Sequence, residues 1–373
     1  MRGANFATAG AAASHGPCAS LPHKLRAFAA LNIFDIAALR QPGQVAEEAA
    51  GQPAEETGGR GRWKKVADDG EYRRGFKCEP SEGSPMGVAI KEFTTRRRQH
   101  SLEAAREAEL LEQLQGRHVV TYLSKVVLAT SAAIVMEAAT GDVYDQVIEP
   151  VAEARGDADS PDEIGFDVKI LLLIDLLEGL LDLAECGYVH RDIKPENLLV
   201  FGDCRRGACR LKISDFGMAC NFQGGAHSCT PGVGGTPLYT APEVWKGSPD
   251  GPARDVWAAG LVMYEMLVGD LPEELVRGYR DALDMEELAA FVSNEFVPES
   301  DYYIQEMIGS SEPQVRLFAH LLAGMLDPDP GRRMTAAAAL EEASGIARNR
   351  GLVVPDTPRP PCRGTAAGAG AGA

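Results

Sequence analysis

The sequence predicts an α+β fold in two lobes, a small strand-rich one carrying a single helix, then a larger and mainly helical one. From Trp63 to Glu137 short β-like runs dominate: Trp63–Val66, Phe76–Cys78, Gly87–Lys91, Val120–Leu128 and Ala133–Met136. One helix interrupts them, Leu102 to Leu114, with Leu110, Leu111 and Leu114 as its apolar side. From about Val143 onward long helical segments prevail, over residues 167–185, 254–268 and 314–326. Two lobes of unlike character leave a cleft between them, and clefts are preferred ligand sites.

The flanks set the boundaries. Residues 1–60 are rich in Ala, Gly, Pro and Gln, too weakly apolar to pack alone, and read as a disordered tail. Within them Leu25, Phe28, Leu31, Phe34 and Leu39 have loosely helical spacing. The folded part spans 61–347, a small lobe over 61–137 and a large one over 140–347. Residues 348–373 form a second tail, Pro/Gly/Ala-rich from about Pro355.

A formal net charge of −17 argues against a nucleic-acid partner. The most apolar stretch, Ile170 to Leu183, carries Asp175, Glu178 and Asp182 at helical spacing. It reads as a buried helix with one solvated acidic stripe, and no stretch spans a membrane. The eight cysteines show neither CxxC nor zinc-ligand spacing and read as scattered free thiols of a reducing compartment, cytoplasmic or nuclear. Cys204 and Cys209 flank a turn-like stretch, with two free thiols the preferred reading. The first 34 residues lack acids and are Ala-rich; a plain tail is preferred there to an organelle transit peptide.

Three elements carry chemistry. Lys91 ends the apolar run Val88-Ala89-Ile90, where burying an ammonium is costly unless an anion meets it; Glu107 on the following helix is the candidate partner. His190-Arg191-Asp192-Ile193-Lys194-Pro195-Glu196-Asn197 precedes the apolar Leu198-Leu199-Val200. Asp215-Phe216-Gly217 follows Leu211-Lys212-Ile213. Phosphoryl transfer needs a carboxylate for the incoming hydroxyl proton, oxygen ligands for Mg²⁺ and cations for the moving charge. Asp192, Asn197, Asp215, Lys194 and Lys91 supply these groups one for one.

With Ala241-Pro242-Glu243, Asp255-Val256-Trp257-Ala258-Ala259-Gly260 and Asp329 to Thr335, seven motifs stand in family order and spacing over roughly 62–345. The chain thus resembles a eukaryotic protein kinase of the serine/threonine type. The resemblance implies a two-lobed fold with a small antiparallel-sheet lobe, the cofactors ATP and Mg²⁺, and protein substrates. It implies that Asp192 receives the substrate proton, Lys194 neutralises the transferred phosphoryl group, and Asn197 and Asp215 hold metal. Lys91, fixed by Glu107, would hold phosphates; Met136, and Glu137 to Ala139, would meet the adenine. Glu243 would pair with Arg333, and Asp255 would cap backbone N–H groups around Arg191. Lys194 and the stretch Gly235 to Thr240 resemble the Ser/Thr type, Thr236 hydrogen-bonding Asp192 and Lys194.

Arg191 faces a regulatory role in kinases of this kind, through a phosphate in the segment 215–243. Ser228 and Thr230 are the candidates, and an upstream activating kinase is the implied partner. Gly224, Gly225, Gly232, Gly234 and Gly235 predict a mobile segment when unmodified. The chain departs from the family in its phosphate-covering loop, Asp68 to Gly75, which keeps only the middle glycine, Gly70. That departure sets an alternative beside the enzyme: a pseudokinase acting as a binding scaffold.

Overall fold

The structure is a computed structural model. It describes residues 64–68, 73–78, 87–94, 98–127, 131–154, 164–225, 227–230, 234–249, 251–282, 285–294, 302–311 and 313–354. The two expected tails and Gly70 lie outside them, apart from the end of the last helix and the few residues that follow it. Among the described residues the chain divides into two compact units. One holds those up to Glu109 with Thr121–Ala138; the other holds Leu110–Val120 and those from Ala139 on.

The first unit is a five-stranded antiparallel sheet, β1 (Lys64–Asp68), β2 (Arg73–Cys78), β3 (Val88–Thr94), β4 (Tyr122–Val127) and β5 (Ser131–Glu137). The strands lie in the order β1-β2-β3-β5-β4. β5 lies between β3 and β4, and its side chains on both faces are buried from Ala132 to Met136, which is why it reads as a continuous apolar run. β1 and β2 pair antiparallel with Asp68 opposite Arg74 and a register shift between Lys65 and Ala67. Helix α1 (Arg98–Gln113) turns Ala104, Glu107 and Ala108 inward at helical spacing.

The second unit is mainly helical. A π-turn at Tyr144–Ile148 leads into α2 (Glu149–Ala154), and α3 (Phe166–Glu185) follows. Then come α4 (Pro242–Trp245), α5 (Ala253–Val268), α6 (Glu273–Asp281) and α7 (Met285–Asn294). Helices α8 (Tyr302–Ile308), α9 (Pro313–Met325) and α10 (Ala336–Asn349) complete it. Short strands β6 (Gly141–Asp142), β8 (Leu198–Asp203) and β9 (Ala208–Ile213) make one sheet, in the order β6-β8-β9. β7 (Tyr188–Val189) pairs with β10 (Cys220–Asn221) in another. Helix α5 is buried from Arg254 through Met266 and packs against α3 and α9. It stops at Gly269, whose φ of 81° closes the last turn through Gly269 N–H to Glu265 O.

Two expectations are corrected. The acidic stripe of α3 is not solvated: Asp175 is 3% exposed, accepting from Leu211 N–H and from an Arg210 guanidinium. Asp182 meets His118 at 3.4 Å. β9 lies on this face of the helix and supplies donors that the helix pattern alone does not reveal; burial still pushes the Asp175 carboxyl above its ordinary range. The thiols are not free either. Cys204 is bonded to Cys209, Cys220 to Cys229, and Cys186 is also disulfide-bonded. Pairing of Gly202 with Cys209 and Asp203 with Ala208 closes a hairpin that brings Cys204 and Cys209 to 4.9 Å between Cα atoms. The argument from thiols for a reducing compartment therefore falls. None of the described helices is long and apolar enough to cross a membrane.

Candidate active site

In the first unit Lys91 stands in β3 opposite Gly75 and Ile134. Its Nζ donates to Glu107 Oε1 at 2.8 Å and Oε2 at 3.0 Å, with Glu107 1% exposed. A carboxylate so buried is tolerable because a cation meets both oxygens, and the pair in turn fixes the ammonium. Met136 is buried in β5. The Glu137 carboxylate accepts from Thr121 N–H at 2.7 Å and Thr121 Oγ1 at 2.6 Å, which turns that side chain back into its own unit. Its neighbour Ala138 donates N–H to Gly87 O.

In the second unit Ala139 precedes Thr140, whose N–H bonds Val200 O. The central group is Asp192. Its Oδ1 accepts from Thr236 N–H and from Thr236 Oγ1, both at 2.8 Å. Lys194 Nζ lies 3.5 Å from Asp192 Oδ2 and donates to Thr236 Oγ1 at 2.9 Å. Asn197 Nδ2 donates to the Asp192 carbonyl at 2.7 Å and to Oδ2 at 3.0 Å. Asp192, Lys194, Asn197 and Thr236 are thus one hydrogen-bonded cluster drawn from two stretches of chain.

The backbone carrying Asp192 is held from beneath. Asp255, in the first turn of α5, accepts from His190 N–H at 2.6 Å and Arg191 N–H at 2.9 Å. This lets Arg191 keep a φ of 73°, a conformation that an unsupported L-residue rarely adopts. Asp192 N–H donates to His190 Nδ1, so the other ring nitrogen, Nε2, carries the proton and donates to Ser214 O at 2.9 Å. The His190 ring also meets Phe216 edge-on at 5.0 Å. Ser214 N–H and Oγ both donate to Asn197 O at 2.9 Å, tying the two loops together beside Asp215. Asp215 sits at φ 58°, its Oδ1 accepting from Gly217 N–H.

Gly235 has a different role from the mobility expected of it. At φ 103° it lies against Arg191, and a Cβ there would run into the Arg191 carbonyl. Arg254 bonds the Gly234 carbonyl at 2.8 Å, so this stretch is a close-packed seat for Thr236. Arg191 Nη1 lies 3.8 Å from Cys220 Sγ. Ser228 and Thr230 are exposed. The Arg333 guanidinium pairs bidentately with Glu243, at 2.6 and 2.7 Å, and stacks on Trp257.

Sequence reasoning missed Ser214, and also Tyr239, whose hydroxyl donates to the buried Glu265 at 2.6 Å. Burial raises the Glu265 carboxyl to about 7, with the Tyr239 bond opposing and the Glu196 and Asp270 charges assisting. Ser214 stands next to Asp215 and Tyr239 within Gly235–Thr240, so proximity to a motif was the available signal.

Residues 69–343 match the family model for the protein kinase domain. The chain belongs to the protein kinase family. Its relatives include proteins named as serine/threonine-protein kinases. A serine/threonine-protein kinase of Drosophila yakuba is 27% identical over 280 residues, 74% of this chain and 34% of that protein. Calcium/calmodulin-dependent protein kinase type 1 of Caenorhabditis briggsae is 27% identical over 285 residues, 75% of this chain and 70% of that protein. The type II alpha chain of Drosophila melanogaster is 29% identical over 240 residues, 63% of this kinase and 39% of that protein. The kinase thus spans little more than a third of the first and third of these relatives.

Proposed function

We propose that this kinase transfers the γ-phosphoryl group of ATP to serine and threonine hydroxyls of protein substrates. The observation that carries the reading is the Asp192 cluster. Two Thr236 donors fix one carboxylate oxygen, Asn197 engages the other, and Lys194 stands beside both. A carboxylate so oriented, with 15% of its side chain still open, can receive the proton of an incoming hydroxyl. Lys194 then faces the charge that develops on the transferred group. Thr236 sets the depth of the site and suits a short acceptor side chain.

The donor chemistry fits magnesium. Asn197 spends its NH₂ on Asp192, which leaves its amide oxygen as the acceptor a hard cation uses; Asp215 adds a carboxylate. No group of three or more His, Cys, Asp or Glu side chains forms a metal cage among the described residues. None is needed by an ion that keeps waters and phosphate oxygens in its shell. When bound, the metal would neutralise phosphate charge. Lys91, steadied by Glu107, holds the α/β-phosphates, while Gly70, Met136, Glu137 and Ala139 belong to the nucleotide side. The catalytic domain spans 61–347, flanked by tails.

Retention of Lys91, Asp192, Asn197 and Asp215 together disfavours the scaffold reading. An upstream kinase acting on Ser228 or Thr230, a cytoplasmic place of action where ATP is supplied, and the absence of nucleic-acid partners remain parts of this proposal. Incubation with labelled Mg-ATP and a generic basic protein should yield phosphoserine and phosphothreonine on acid hydrolysis. Incorporation no higher than that of the Asp215→Asn variant, or phosphotyrosine alone, overturns the assignment.

A further inference from the structure

We infer that the Cys220–Cys229 disulfide is a redox latch on the activation segment, holding it in its ordered, transfer-competent arrangement when oxidised and releasing it when reduced. The inference rests on the kinase reading only for its activity readout.

The geometry supplies the coupling. Cys220 lies in β10, paired directly with Val189 of β7, which runs into His190, Arg191 and Asp192. Cys229 is brought back to β10 by an Asn221–Ser228 bridge and by Cys229 N–H to Asn221 O. The bond therefore fastens a loop carrying Ser228, and leading to Thr230, onto the strand pair beside the catalytic loop. Among the described residues the loop is also held by turn bonds, including Asn221 N–H to His227 O, Phe222 N–H to Gly187 O, Ser228 N–H to Gly225 O and Gln223 N–H to Asn221 Oδ1. The disulfide closes a loop with a sequence separation of 9, and such a tie acts by removing the conformational entropy the loop would gain on opening. With the tie in place, Arg191 abuts Gly234 and Gly235, and Thr236 engages Asp192.

The chemistry supplies the lability. Cys220 is fully buried, whereas Cys229 is partly exposed, so an external thiolate attacks Cys229 Sγ. A mixed disulfide forms at Cys229, the protein S–S bond breaks, and Cys220 leaves as a thiolate beside the Arg191 guanidinium, which stabilises it. A second thiol resolves the mixed disulfide. Two electrons pass from two thiols, or one dithiol, to the protein, leaving two protein thiols and an oxidised reductant.

The test equilibrates the full chain in reduced-to-oxidised dithiothreitol mixtures, with the bond state read by alkylation and mass spectrometry. Labelled transfer to a basic protein and amide exchange at Asn221, Phe222 and Cys229 are then followed. On reduction kcat should fall about tenfold or more, and exchange at those amides should rise by a similar factor. Cys229→Ser, checked for native circular dichroism, should behave as the reduced protein in every mixture. The Cys204→Ser/Cys209→Ser double variant should retain the full redox response. Unchanged exchange after demonstrated cleavage of Cys220–Cys229 overturns the latch, as does a redox response that survives in Cys229→Ser. If neither redox state transfers phosphate, exchange still decides the latch while the kinase reading fails separately.

Discussion

Two carboxylates of the second unit show how one residue type serves opposite ends. Glu243 meets Arg333 bidentately, and the guanidinium also bonds the Asp327 and Ala253 carbonyls, with its side chain fully buried. Asp192 is clamped just as closely by Thr236 and Asn197, yet keeps 15% of its side chain open, and Lys194 beside it keeps 24%. Glu243 keeps 9% of its side chain open, but both its oxygens are taken by a guanidinium that is itself fully buried, so the pair holds elements together. Around Asp192 the donors orient the carboxylate without enclosing it, so it can still exchange a proton. The difference teaches that enclosure of the partner cation, 0% open for Arg333 and 24% for Lys194, more than the number of hydrogen bonds, separates a fastening from a reactive group.

The comparison breaks if the two carboxylates respond alike to mutation. Asp192→Asn keeps the shape and removes the acceptor. It should lower kcat by about a thousandfold while the thermal midpoint stays within a few degrees of wild type. Arg333→Met strands Glu243 as an unpaired buried charge. It should cost about 3–5 kcal/mol in urea unfolding, while kcat per folded molecule stays near wild type. A variant pair in which Asp192→Asn unfolds the chain, or Arg333→Met abolishes turnover at full fold, would erase the distinction.

Glu265 is the intermediate case, a buried carboxylate given a hydroxyl instead of a cation. Its carboxyl is raised from 4.5 to about 7, so the folded state keeps a proton that the unfolded state releases. Its contribution to stability is therefore complete below pH 4.5, is lost as pH rises to about 7, and is flat above. The loss is at most about 3 kcal/mol. Glu265→Gln keeps an acceptor for Tyr239 and should remove this part of the slope. The difference in urea midpoint between variant and wild type should grow from pH 5 to pH 8 in the variant's favour. Asp175, raised in the same direction, remains in both proteins and cancels.

Much of this was legible beforehand, and the limits have physical causes. Strands β1 to β5, helix α1 and the long helices announced themselves through periodicity, the Lys91–Glu107 pair through an ammonium in need of an anion, and the Glu243–Arg333 pair through the resemblance to the kinase family. The burial of Asp175 was not legible, because the partners of a helix face come from β9 some thirty-five residues downstream, which periodicity cannot register. The disulfides were missed because spacing alone does not say whether a hairpin or a β-bridge brings two cysteines together. Gly235 read as part of a mobile segment, since a sequence shows that a residue lacks Cβ but not that a carbonyl occupies its place.

The smallest effect sharpens the comparison most, because it touches orientation alone. Thr236 sends both its N–H and its hydroxyl to Asp192 Oδ1, and its hydroxyl oxygen accepts from Lys194. Thr236→Val preserves volume and the backbone donor, so Asp192 keeps one of the two bonds to that oxygen while Lys194 loses its acceptor. A charge-assisted bond of this kind is worth about 1.5–3 kcal/mol. With one donor left in place, kcat should fall by about tenfold, near the lower end of that range. Thr236→Ser restores the hydroxyl and should recover most of the rate, which a mere packing defect would not allow. If valine and serine variants turn over equally, the backbone N–H alone orients Asp192. The open carboxylate would then be held by the main chain, as Arg333 is in part held by two carbonyls on the structural side.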